Sequence, residues 1–231
     1  MTDRCLHPGG RALTRRLLDL CPAAQQSRVL DIGCGDGNSA AYIHETYGYV
    51  VSGIEPDGAA FALAAARPGL TLHQAAVEAL PYPDSSFDLV LCECVLSLAD
   101  LDAALGEIHR VLACGGALLF SDLYARGTCA VTHGLVRHLH TEQQWQNSLD
   151  AAGFAVERLE EVSFELKAYL AQMVFEQGAE AAYCACGLDR ELIQTARPGY
   201  LLAVARKNRP APPIWRDHAR PGRAPAAVRK G

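Results

Sequence analysis

The chain has 231 residues, half of them hydrophobic and a fifth charged, with a net charge of −5 and nine cysteines. These values suit one globular domain of ordinary to large size with a substantial core. No apolar run approaches the ~20 residues a bilayer crossing needs, no signal-peptide h-region opens the chain, and an odd cysteine count argues against a disulfide framework; a cytoplasmic protein without a membrane partner is expected.

In chain order, Leu13, Leu17, Leu18 and Leu20 predict an opening helix that ends near Cys21-Pro22. Arg28 to Ile32 reads as a short apolar strand, Ser39 to Tyr47 as a helix, and Tyr49 to Ile54 as a second strand. Pro56 and Asp57 start an Ala-rich helix that Arg67-Pro68-Gly69 stops. Leu70 to Gln74 and Phe87 to Cys92 follow as strands. Leu101, Leu105, Ile108 and Leu112 recur at helical spacing up to Gly115-Gly116, and Ala117 to Ser121 is the fifth strand. Thr141-Glu142-Gln143-Gln144 has the capping-box form and opens a helix ended by Gly153. Phe154 to Val162 and Tyr200 to Arg206 are the last strands. Between them, residues 163–197 exceed a normal connection; one helical stripe (Leu166, Tyr169, Leu170, Met173, Val174) predicts either an extra packing helix or a lid over a substrate. Strands alternating with helices predict a mainly parallel, doubly wound α/β sheet. The domain is expected over residues 1–207, with residues 208–231 as a tail. That tail holds six basic residues against Asp217, leaving −10 on the body. It is expected to be loosely attached, and the acidic body argues against a nucleic-acid surface.

Between the first strand and its helix lies Asp31-Ile32-Gly33-Cys34-Gly35-Asp36-Gly37. Ligands of open parallel sheets bind beyond the strand ends at such a switch point. Gly33, Gly35 and Gly37 let the backbone approach a ligand, Asp31 can accept from an ammonium, and Glu55 at the end of the second strand can accept both hydroxyls of a ribose. A dinucleotide is the natural competitor, but its fingerprint wants Gly where Asn38 stands. Asp31 and Asp36 would also repel a pyrophosphate. A cationic nucleoside without phosphate, such as S-adenosylmethionine (SAM), suits the acidic turn.

With this turn, three further segments carry a resemblance: Gly53-Ile54-Glu55-Pro56, the run from Glu78-Ala79-Leu80-Pro81 to Ser86-Phe87-Asp88, and Arg110-Val111-Leu112-Ala113-Cys114-Gly115-Gly116. The chain resembles the class I SAM-dependent methyltransferases, nearest to the type 11 group, with ubiquinone/menaquinone and, more distantly, arsenite methyltransferases as relatives. The resemblance is good over residues 28–124 and loose elsewhere. It implies SAM as donor, S-adenosylhomocysteine (SAH) as product, and a Rossmann-like seven-stranded sheet whose last strand is antiparallel. It also implies adenine near Ala76, Val77 and Glu78, and the methionine end near Asp31, Gly33, Cys92 and Glu93. Cys34, Gly35, Gly37, Asn38, Glu55 and Pro56 complete the expected cofactor set, with Arg11 of a segment, His7 to Arg11, expected to fold over the cofactor and pair with the methionine carboxylate. Ala76 departs from the Asp that many relatives use for the adenine amino group, and Ala113-Cys114 replaces the usual Lys-Pro.

Methyl transfer needs a nucleophile aligned with the sulfonium and water kept out; a base is needed only when the nucleophile arrives protonated. Cys94, His133, His138, Cys184 and Cys186 are the catalytic candidates, with His140 and Cys129 beside them in sequence or setting. Cys92 and Cys94 are expected on one face of a strand, and soft thiolates could capture a metalloid. No resident metal is expected. The expected function is methyl transfer from SAM to a small-molecule acceptor. The alternatives are a thiol or metalloid methyltransferase using Cys184 and Cys186, a SAM-binding accessory protein without catalysis, and a protein or nucleic-acid methyltransferase recruiting its partner through the tail. The acceptor and a possible homodimer are left open.

Overall fold

A computed structural model describes residues 7–128, 130–131, 136, 138–188 and 190–208. Helix α1 (Gly10–Leu20) comes first and buries Leu13, Leu17 and Leu18, whose helical spacing puts them on one face. Strand β1 (Arg28–Ile32) runs through the glycine turn into α2 (Asn38–Tyr47), and β2 (Val50–Ile54) into α3 (Gly58–Ala65). Asp57 begins α3 by accepting from the Ala59 and Ala60 N–H groups at 3.0 and 2.8 Å, which satisfies two donors that a helix start leaves open. Strands β3 (Thr71–His73) and β4 (Phe87–Glu93), helix α4 (Leu101–Val111) and strand β5 (Leu112–Ala125) follow. A short hairpin, β6 (Ala130–Val131) with β7 (His138–Leu139), precedes α5 (Glu142–Ala151) and β8 (Phe154–Glu161). Three helices, α6 (Ser163–Gln177), α7 (Ala179–Ala185) and α8 (Arg190–Thr195), lead to the last strand, β9 (Pro198–Lys207).

The main sheet has seven strands in the order β3-β2-β1-β4-β5-β9-β8. The contacts from β3 to β5 are parallel, and β9 is antiparallel to both of its neighbours. Apolar side chains cover both faces. Leu13, Leu17, Ile43 and Leu166 close one face, while Leu105, Ile108, Trp145 and Leu149 close the other. That two-sided cover explains why the central strands read as continuous apolar runs. The chain winds outward from β1 to β3 and returns at β4, so β1 sits at the point where the winding reverses. Register there pairs Ile32 with Ile54 on one side and with Cys92 on the other. The ends of β1, β2 and β4 therefore meet at one crevice.

Three expectations change. The fifth strand runs from Leu112 to Ala125 and contains Gly115-Gly116, rather than starting after them. Pairing jumps from Phe87–Leu112 to Leu89–Ala117, so the glycines sit in a bulge that adds residues to one strand without ending it. Residues 163–197 form three helices where one stripe is legible. The β6–β7 hairpin carries no signal in a chain read for long alternating elements. The capping box at Thr141 is present, with the Gln144 N–H donating to Thr141 Oγ1 at 3.3 Å and the Thr141 N–H to Gln144 Oε1 at 2.9 Å. None of the described helices is long and apolar enough to cross a membrane. The tail after Asn208 lies outside the described residues.

Candidate active site

The glycine turn is built by backbone bonds across the sheet. Gly33 and Cys34 N–H groups both donate to the Ile54 carbonyl, at 2.9 and 3.0 Å, folding the chain back over the end of β2. Gly33 holds φ +70, and a Cβ there would lie 2.5 Å from Val95 Cγ2. Gly33→Ala should therefore cost about 2–3 kcal/mol, the sum of left-handed strain and overpacking, read as a lowered melting temperature. Adding Val95→Ala should return the packing part and leave the strain.

Glu55 ties the turn to the next loop: Oε2 accepts from the Gly35 N–H and Oε1 from the Asp57 N–H, both at 2.9 Å. Asp36 accepts from Asn38 through its backbone N–H at 3.1 Å and its side-chain amide at 2.6 Å. Arg67, beyond α3, donates to the Asp36 carbonyl at 2.6 Å and to Asn38 Oδ1 at 2.7 Å. The turn is thus locked from the segment that follows α3.

Over this floor lies a cavity of about 420 Å³. Of the residues expected at the cofactor, Arg11, Asp31, Gly33, Cys34, Gly35, Asn38, Glu55, Pro56, Ala76, Val77, Glu78 and Glu93 line it. Gly37 and Cys92 do not. Gly37 is where α2 meets α3: a Cβ there would lie 3.0 Å from Arg67 Cδ and 3.3 Å from Ala64 Cβ, so its glycine serves helix packing. Cys92 is wholly buried in the core on the α4 side of the sheet. His7, Asp36, Ser39, Val95, Leu98 and Ala99 also line the cavity. The loop from Val95 to Ala99 follows β4, and only the return of the chain beside β1 brings it there.

The lining is acidic: Asp31, Asp36, Glu55, Glu78 and Glu93 stand against Arg11 and His7. Asp31 is 3% exposed and its Oδ2 has no hydrogen-bond partner. Burial, then the Glu93 and Glu55 charges, push its carboxyl well above the usual range. Glu93 accepts from Thr14 Oγ1 at 2.8 Å through Oε2, while Oε1 has no partner. Burial raises it to about 8, opposed by the Thr14 bond. Glu78 Oε1 accepts from the Asp100 N–H at 3.0 Å. Arg11 lies with its guanidinium 5.5 Å from the Tyr42 ring centroid.

The catalytic candidates separate. Cys94 lines the cavity, and its thiol lies 3.1 Å from the Tyr200 hydroxyl, which is 2.9 Å from Ser121 Oγ. Burial, then the Asp122 charge, push its pKa up, so the thiol stays protonated. Cys94 has φ +59. This turn ends β4, so Cys94 packs on the α1 face whereas Cys92 faces α4, correcting the shared face expected of an unbroken strand. His138 and His140 lie side by side, ring centroids 5.6 Å apart, in a second, more open cleft with Asp102 and Gln144. Cys184 is exposed on α7, and Cys186 is half-buried with its thiol 3.7 Å from Met173 Sδ; neither lines the cavity. His133 and Cys129 lie outside the described residues.

Residues 30–120 match a family model described as a methyltransferase domain. An uncharacterized methyltransferase of Bacillus subtilis (strain 168), YodH, is 32% identical over 170 residues, which are 64% of this chain and 68% of that protein. The ubiquinone/menaquinone biosynthesis C-methyltransferase UbiE of Stenotrophomonas maltophilia (strain R551-3) is 37% identical over 50% of this chain and 51% of its own length. The chain spans about half the length of several other curated relatives it matches. Among solved structures, the [4+2]-cyclase SpnF superposes with a TM-score of 0.74 at 24% identity, over 90% of this chain and 89% of that one.

Proposed function

From the premise that the chain belongs to the class I SAM-dependent methyltransferases of the type 11 group, we propose that it moves the methyl group of SAM directly onto a small-molecule acceptor. The fold by itself does not decide this, since a [4+2]-cyclase shares it. The observation that carries the reading is the pair of buried carboxylate oxygens, Asp31 Oδ2 and Glu93 Oε1, that have no partner in a cavity floored by glycine backbone. Buried polar atoms are nearly always satisfied, and these ask for a cation. A ligand with ammonium and sulfonium charges and no phosphate fits them; a pyrophosphate does not.

In this reading Asp31 and Glu93 face the cationic end of the donor, and Arg11 takes its carboxylate. Gly33, Cys34 and Gly35 give backbone approach, with Asn38 and Pro56 at the edges of that turn. Glu55 spends one lone pair of each oxygen on the loop and keeps the others for the ribose hydroxyls. Ala76, Val77 and Glu78 bound the adenine, where Ala76 leaves recognition to backbone groups and to Glu78. SAM supplies a methyl group already activated on sulfur, so the chain's task is alignment and the exclusion of water. Cys94, Val95 and Leu98 form a wall suited to the acceptor, and a protonated Cys94 thiol argues against thiolate capture there.

Calorimetric titration of the full chain with SAM and SAH tests the donor, and SAH formation across an acceptor screen tests the reaction. Absence of binding heat for both ligands would overturn the reading. Cys184→Ser should leave SAM affinity and turnover within about twofold, as expected of an exposed residue outside the cavity; loss of turnover with arsenite or a thiol would instead favour the thiophilic alternative.

A further inference from the structure

Glu93 ends β4 with its carboxyl held from one side only. Thr14 of α1 donates to Oε2, and His7 Nε2 lies 3.4 Å from the same oxygen without hydrogen-bond alignment. His7 Nδ1 is 3.2 Å from the Pro8 carbonyl, which can only accept, so Nδ1 carries the hydrogen and the ring presents Nε2 to the carboxyl. The His7 and Glu93 side chains are 9% and 5% exposed. Around Glu93 stand Asp31 from β1, Cys92 on its own strand, Cys94 one residue on, and Tyr200 from β9. Every one of these becomes negative when it ionises. Arg11 of α1 is, among the described residues, the fixed cation lining the same cavity. Burial without a partner for Oε1 favours the neutral carboxyl and raises its pKa to about 8, opposed by the Thr14 bond. A positive charge placed against the open Oε1 reverses that preference, because an opposite charge within a few ångströms favours the ionised form.

We propose that Glu93, flanked by Thr14 and His7, is a proton site that reads the charge of the donor: it releases its proton when the sulfonium-bearing donor enters, and regains one when the methyl group has left. The proposal rests on the donor reading above. Its balance closes for an acceptor that attacks as O–H or N–H. The acceptor's lone pair forms the bond to the methyl carbon, the carbon–sulfur electron pair stays on sulfur, and the proton shed by the acceptor equals the one Glu93 regains. Donor and spent product differ by one positive charge, and the site answers that difference with one proton. It would thereby hold SAM and loosen on SAH.

Proton release can be counted without any acceptor, by titrating the protein with SAM and with SAH in phosphate and in imidazole buffers, whose ionisation enthalpies differ. At about pH 6.5 an α-amino group stays protonated, so both ligands carry the ammonium and only SAM carries the sulfonium. SAM should release on the order of one proton per site more than SAH, since Asp31 meets the ammonium of both ligands, and Glu93→Gln should erase that difference while still binding SAM. Comparison of the two ligands on the unaltered protein does not depend on the variant's folding. Equal release by SAM and SAH, or a difference unchanged in Glu93→Gln, would sink the proposal while leaving the donor reading intact. Heat from neither ligand would remove the donor reading and this inference with it.

Discussion

Asp31→Asn is expected to weaken SAM binding by about 100-fold, roughly 2.8 kcal/mol, while raising the melting temperature of the ligand-free protein. The two effects have one cause. The Asp31 carboxyl is buried, its Oδ2 is unpartnered, and the Glu55 and Glu93 carboxylates stand close enough to raise its pKa. Removing one partner of a buried charge pair costs about 2–5 kcal/mol in a complex, so a neutral amide should lose the donor's cation. Without donor, the same substitution removes an acid that the fold strains to keep. Burial, then the Glu93 and Glu55 charges, hold the folded pKa of Asp31 well above the ordinary aspartate value, so the wild-type protein binds more protons folded than unfolded. The stability this confers is complete below the unfolded pKa and is lost as pH rises toward the folded one. Asparagine does not titrate. Its advantage should therefore be small near pH 4 and grow toward neutral pH, where a gain of about 1 kcal/mol corresponds to ~2–4 °C for a protein of this size. Thermal scans across pH, paired with SAM titrations, check both parts. A ligand-free variant that melts lower than wild type at neutral pH would show that Asp31 has a partner in the fold itself.

Glu55→Ala should act in the opposite sense on stability and in the same sense on binding. The Glu55 carboxylate accepts from Gly35 and Asp57, and hydrogen bonds to a charged group contribute about 1.5–3 kcal/mol each. Gly35 lines the cavity and Asp57 is exposed, so water can reach both N–H groups and the lower end applies. A loss of ~3 kcal/mol, or about 6–12 °C in melting temperature, is expected. SAM affinity should fall by at least about 100-fold, since a disordered turn and a missing ribose acceptor add. Glu55→Gln separates the two contributions. Its single carbonyl can serve one of the two N–H donors, while its amide faces the other donor to donor; it should melt between wild type and the alanine variant. Equal melting temperatures for all three would mean that the loop does not depend on this side chain.

These two residues also show how much was legible beforehand. Asp31 and Glu55 stand out in sequence because each closes a short apolar run followed by a turn, and the distance between them is one strand–helix–strand unit. The donor reading follows from that spacing and from the sign of the charges. The partners of those residues are not legible in the same way. Thr14 is 79 residues from Glu93, and Arg67 reaches Asn38 across 29; nothing periodic links such positions. The described thiol and histidine candidates lie apart for the same reason. Cys94 and His138 line different cavities, and Cys184 faces solvent. Their order along the chain carries no information about which loop returns to which strand end.

By itself the sequence determined the alternation of strands and helices, the doubly wound sheet and the acidic glycine turn. Each of these is set by local periodicity, by φ angles open to glycine, and by charges adjacent in the chain. Only the tertiary structure decided that Gly37 packs two helices, that the turn at Cys94 sends Cys92 and Cys94 to opposite faces, and that α1 and the segment before it deliver Thr14 and His7 to Glu93. Those outcomes depend on which elements pack together over long separations, and on a buried dielectric that makes an unpartnered carboxylate a chemical feature. No single stretch of residues encodes either one.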